Sequence, residues 1–121
     1  MLAVNVDRKT DVKIRNIFGT LPPLGHDQEL DDLLAKLSSE TPWGARQTAA
    51  KRIGALRNSS ALPALLASLP VDPFWMVRCE IIQALERIGD AAAVPTLRSV
   101  AKNDGFQVVR AYAAKAVERL S

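Results

Sequence analysis

Histidine and cysteine are almost missing from these 121 residues, which hold one of each, His26 and Cys79. A single thiol rules out an intrachain disulfide and fits a reducing compartment. One imidazole cannot build a multi-histidine metal centre, so no metal ligands, cofactor-binding residues or catalytic residues are assigned. Aromatic residues make up only 5 % of the chain. No apolar run approaches the roughly 18 residues of a membrane span. The leading MLAVNV is cut short by Asp7, Arg8 and Lys9, too early for a secretory signal. A cytoplasmic protein that does not enter a membrane is the expectation. Strand-like alternation is missing too, and β-branched residues do not cluster.

What remains is plentiful alanine and leucine, residues that lose little freedom in a helix and let two helices approach closely. The length suits one domain with a real core. The net charge of +3 is spread along the chain, its densest spot being Arg46, Lys51, Arg52 and Arg57 on one helix. A nucleic-acid reader should gather its basic residues on one continuous face. Nucleic acid is therefore not the expected partner.

Sliding the chain along itself by 32 residues aligns 58–89 with 90–121 without a gap. The identities include Pro63/Pro95, Leu65/Leu97, Asp72/Asp104, Phe74/Phe106, Val77/Val109 and Arg78/Arg110. The same shift carries Leu30, Leu33, Leu34, Leu37, Trp43 and Arg46 onto Leu62, Leu65, Leu66, Leu69, Trp75 and Arg78. Three units result, at 28–57, 60–88 and 92–121, preceded by an N-terminal tail and capping helix in 1–27.

Each unit reads as two helices. The first carries apolar residues at helical spacing, with Pro63 or Pro95 near its start and Ser59–Ser60 or Asp90 as candidate caps. The second covers roughly 43–57, 74–88 and 106–120. Its apolar stripe is Ala45, Ala49, Ile53 and Leu56, then Val77, Ile81, Leu85 and Ile88, then Val109, Ala113, Val117 and Leu120. Asp72-Pro73 predicts a cap followed by proline at the first helical position. Upstream, Val12, Ile14, Ile17, Phe18 and Leu21 suit a short helix covering the first unit, and Leu21-Pro22-Pro23-Leu24-Gly25 predicts a turn or link that holds His26 just beyond it. The expected fold is all-α, an α–α superhelix: a right-handed solenoid of antiparallel helix pairs, three units deep.

The run Asp72-Pro73-Phe74-Trp75-Met76-Val77-Arg78, with Ala84-Leu85, Ile88-Gly89-Asp90, Ala93-Val94-Pro95 and Leu97, resembles the short HEAT-like repeat, closest to the class named after phycobilisome lyases. The resemblance covers 28–121 and implies the solenoid fold. What it implies about function is broader. Such proteins range from scaffolds to bilin-attachment subunits, and a di-iron hydroxylase built on related repeats needs several histidines that this chain lacks.

Glu40, Asp72 and Asp104 each precede an arginine (Arg46, Arg78, Arg110) by six residues. Stacking should set these charges in a structural ladder, each arginine within reach of its own or a neighbouring acid. Trp43 and Trp75 recur at one position, as packing at helix starts would require. Cys79 projects to the solvent side of its helical wheel beside Glu80 and has no histidine to act as base, which suits an ordinary thiol. The second helices should line the concave face. There Met76, Val108 and Tyr112 form an apolar strip flanked by Lys51, Gln83 and Lys115, the mixture a partner site uses. The leading expectation is a non-catalytic scaffold that binds a protein partner through this face, as a monomer or weak homodimer. The alternatives are a bilin-lyase-like or assembly-factor subunit working with a partner, and a helical module that binds nucleic acid.

Overall fold

Prolines and short polar caps decide where the helices of this chain begin. In the structure, a computed structural model, residues 24–121 are described, with side chains from Gln28 onward. The segment expected to form the capping helix lies outside the described residues, as does the side chain of His26. The chain divides into two compact units, 1–31 and 32–121. Of the first, only the start of α1 (Leu24–Ala35) is described. The rest is carried by α2 (Trp43–Leu56), α3 (Leu62–Ser68), α4 (Trp75–Ile88), α5 (Val94–Asn103) and α6 (Gln107–Leu120). Among the described residues the structure is all-helical, packed as a helical-repeat solenoid: α4 lies between α2 and α6, and α5 runs along α6.

Helix α1 starts at Leu24, inside the link predicted over Leu21-Pro22-Pro23-Leu24-Gly25, so the backbone of His26 is helical. Pro22 and Pro23 precede this start in sequence, where a proline's missing N–H breaks no helical hydrogen bond. The entries to α3 and α5 are alike. Asn58 and Asp90 accept hydrogen bonds from the amides of Ser60 and Ala92, each opening a short 3-10 turn. Pro63 and Pro95 follow in the first helical positions. The cap before α3 is thus Asn58, one residue ahead of the serines that sequence reasoning favoured.

Asp72 does not sit directly before α4. Its Oδ1 accepts the Phe74 amide at 3.0 Å, closing a turn that leaves Phe74 extended, so Pro73 falls outside the helix. Asp104 and Phe106 repeat this at 2.9 Å before α6. At their far ends α2 and α4 stop on left-handed residues, Arg57 and Gly89.

The core is the inner face of the second helices. Ala49, Ala50 and Ile53, then Val77, Ile81, Ile82, Ala84 and Leu85, then Val109, Ala113 and Ala116 are buried, with Leu65, Leu69 and Leu97 from the first helices. Burial also reaches residues beyond the expected stripe, while Ala45 is exposed and Leu56, Ile88, Val117 and Leu120 are only half-buried. Helices α2 and α4 approach closely at Gly54, where an added Cβ would lie 2.8 Å from the Cα of Ala84. Nothing larger than hydrogen fits there without moving a backbone.

Candidate interaction surfaces of the helix stack

The arginines three residues into α2 and α4 reach forward, to the turn of the next helix pair. Arg46 donates from Nε to Asp72 Oδ2 at 2.9 Å and from Nη2 to Oδ1 at 3.1 Å. Arg78 holds Asp104 in the same way, at 2.8 and 3.0 Å. Both are two-point guanidinium–carboxylate pairs, the most directional ion pair available to side chains. The third donor of each arginine turns back to a carbonyl before its own helix: Arg46 Nη1 to Thr41, Arg78 Nη1 to Asp72, Arg110 Nη1 to Asp104. Each aspartate therefore joins two successive turns, with its side chain on the preceding arginine and its carbonyl on the following one.

The two ends of this ladder differ from its middle. Glu40 is exposed, and its carboxylate meets no arginine among the described residues. Arg110 keeps its backbone bond, but its Nε and Nη2 face no carboxylate among the described residues. In the buried middle, Asp104 is held below the ordinary carboxyl value of 3.8. Burial alone would raise it, but the Arg78 hydrogen bond, the Phe106 amide and the charges of Arg78 and Arg110 outweigh that cost.

An aromatic series runs alongside. Trp43 packs on Phe74 with ring centres 4.5 Å apart, and Trp75 stacks on Phe106 at 6.2 Å. Arg78 also lies over the Phe106 ring, 5.6 Å from its centre. The tryptophan of one pair thus covers the phenylalanine of the next. Sequence reasoning placed the tryptophans at helix starts but missed these phenylalanine partners, although Phe74 and Phe106 are themselves a repeat identity. Trp43 and Phe106, at the two ends of the series, stay about half exposed.

On the outward side of α4 and α6 two depressions meet. One, of about 380 Å³, is lined by Gln83, Glu86, Ala111, Tyr112, Lys115 and Arg119. The other, of about 230 Å³, is lined by Gln47, Trp75, Met76, Cys79, Glu80, Gln83 and Tyr112. Gln83 and Tyr112 belong to both, so the two form one shallow groove. Tyr112 is 38 % exposed. Of the six residues singled out from sequence, the groove brings together Met76, Gln83, Tyr112 and Lys115. Lys51 and Val108 are exposed on α2 and α6 but line neither depression. Toward the helix ends the surface continues past Arg57, Arg87 and Arg119, where Arg119 pairs with Glu86 at 3.0 Å.

Cys79 corrects the helical-wheel expectation. It is buried, 8 % exposed, and only touches the groove floor. Burial pushes its thiol up to about 11, with Asp104 and Glu80 adding to the rise and Arg78 opposing it. Such a thiol stays protonated near neutral pH and is a poor nucleophile.

Among the described residues no cluster of histidine, cysteine, aspartate or glutamate could hold a metal ion. Likewise, no described helix is long and apolar enough to cross a membrane. The family described as HEAT repeats matches residues 30–118. No curated protein matches the chain.

Proposed function

The chain belongs to the HEAT-repeat family, and from that premise we propose that it is a non-catalytic scaffold that grips a protein segment in the groove between α4 and α6. HEAT repeats generally serve as protein-interaction scaffolds. The observation that carries the reading is the meeting of two depressions at Tyr112 and Gln83. An exposed tyrosine beside a flexible methionine, ringed by amides and charges, is what interface centres are made of.

The charge around the groove favours a particular partner. Lys115, Arg87, Arg119 and Arg57 outnumber Glu80 and Glu86 along its walls and helix-end rim. A segment with one apolar anchor followed by acidic residues fits best. Duplex nucleic acid fits less well, because Glu80 and Glu86 interrupt the basic surface. A bilin-lyase-like role draws no support from Cys79, whose thiol is buried and protonated. The compartment we assign is cytoplasmic, where a lone thiol stays reduced.

The test is recovery of a partner with the tagged chain from its native host, followed by titration of the purified pair. Tyr112→Ala and Met76→Glu are each expected to weaken binding at least tenfold, as loss of an interface anchor does. The exposed Val71, in the turn before α4, supplies the control: Val71→Ser should leave affinity unchanged. Full binding by both groove variants would sink the reading.

A further inference from the structure

The occupied rungs of the ladder show what one of these arginines binds. Arg46 and Arg78 each hold an aspartate whose own Oδ1 accepts the amide two residues on, so that both carboxylate oxygens point at the guanidinium fork. In sequence these ligands are Asp72-Pro73-Phe74 and Asp104-Gly105-Phe106. Each is a tight turn led by aspartate.

Arg110 is prepared in the same way. Its Nη1 is tied to the Asp104 carbonyl at 2.6 Å, as Arg78 Nη1 is tied to that of Asp72 at 2.8 Å. The side chain is half-buried, so its position is set before any ligand arrives. Only the carboxylate is missing among the described residues.

The surroundings decide what kind of ligand fits. Where the middle of the stack has Leu66, Trp75, Ile82 and Leu85, the corresponding positions of the last pair are Arg98, Gln107, Ala114 and Val117. Ile82 and Leu85 are fully buried, whereas Ala114 is exposed and Val117 half-exposed. This face therefore has less apolar surface to cover another packed helix pair, and Gln107 offers no indole for a following phenylalanine. What is retained is the arginine.

We propose that Arg110 is a carboxylate-binding site for an aspartate-led turn on a partner protein, a second contact point separate from the groove at Tyr112. The partner's aspartate accepts from Nε and Nη2 of Arg110 as Asp72 and Asp104 accept from Arg46 and Arg78. The residue two places on meets the Gln107 amide, so it is polar or small rather than aromatic. Binding depends on charge and on two-point geometry, and weakens with salt.

The probe is the chain's own turn with serine in place of its phenylalanine, the capped peptide Lys-Asn-Asp-Gly-Ser-Gln-Val, titrated into the ¹⁵N-labelled protein. The side-chain Nε–H signal of Arg110 is assigned by its disappearance in Arg110→Lys. That signal should shift saturably, with affinity in about the millimolar range. The same peptide with asparagine for aspartate should bind at least tenfold more weakly, because a neutral amide cannot replace the charged acceptor. The Tyr112→Ala protein should bind the peptide as wild type does, so failure of the groove reading leaves this result standing. An unmoved Arg110 signal, or an equal response to the asparagine peptide, would overturn the proposal. So would an Arg110 shift that appears on concentrating the protein alone and vanishes in Glu40→Gln, since the acid would then belong to a second copy of this chain.

Discussion

Helices α4 and α6 have the same length and nearly the same pattern, yet α4 buries seven side chains and α6 three. Substitution accounts for only part of the gap, since Arg78 and Arg110 are the same residue and differ in burial. Val77 and Val109, Ile81 and Ala113, and Ala84 and Ala116 are buried in both helices, while Arg78, Cys79, Ile82 and Leu85 are buried and their counterparts Arg110, Ala111, Ala114 and Val117 are not. The rest follows position: α4 has a second helix on each side, and α6, among the described residues, packs mainly against α4 and α5. In a one-dimensional stack, burial is a property of neighbours as much as of the helix itself. The same contrast separates the filled arginine forks from the open one.

The largest effect should come from breaking a filled rung. In Arg46→Ala the Asp72 carboxylate, 3 % exposed in the intact pair, loses its partner. Removing one member of a buried pair costs about 3–5 kcal/mol, chiefly through the charge left behind. Arg110→Ala loses one hydrogen bond to a carbonyl and strands no acid, so about 1 kcal/mol is expected. Urea unfolding of the two variants measures both. Equal losses would mean that the rung does not distinguish the middle of the stack from its end.

Core truncation sharpens the contrast at somewhat lower cost. Leu85 is fully buried, so Leu85→Ala should lose about 2–5 kcal/mol. Val117, its counterpart in α6, is half-exposed, and Val117→Ala should lose about 1 kcal/mol or less. Thermal unfolding at matched concentration reads the pair. A Val117→Ala loss as large as that of Leu85→Ala would imply that something covers α6 in solution.

Much of this was legible in the sequence, for reasons that mark where legibility stops. Helix positions and the inner stripe follow from local rules: the 3.6-residue period, proline at helix starts, polar caps. The 32-residue shift also singled out the acids and arginines. It could not give their direction, because the link from Arg46 to Asp72 depends on the offset between neighbouring turns, which no single unit encodes. Cys79 failed for a related reason. Its wheel position lies just outside the stripe, and only the packing of α4 between two other helices buries it. The groove residues Met76, Gln83, Tyr112 and Lys115 were accessible to a helical wheel because they lie off the buried stripe of their own helices. Lys51 and Val108 share that orientation without sharing the groove, since a wheel knows angle and not depth.

The smallest effect reads the second rung through pH. Asp104 titrates below its ordinary 3.8 in the folded chain, because the Arg78 contact, the Phe106 amide and nearby charge outweigh the cost of burial. As pH falls, the unfolded chain takes up this proton first, so folding loses stability through 3.8 and on toward the lower folded value. Above that range the contribution is present in full. Asp104→Asn abolishes this titration and leaves a weaker acceptor for Arg78. The stability gap between wild type and variant should therefore be widest above about pH 5 and should narrow toward about pH 2.5. Urea midpoints taken across that interval measure it. A gap that stays constant with pH would show that Arg78 gains nothing from the charge of Asp104, and the second rung would then owe its place in the stack to shape alone.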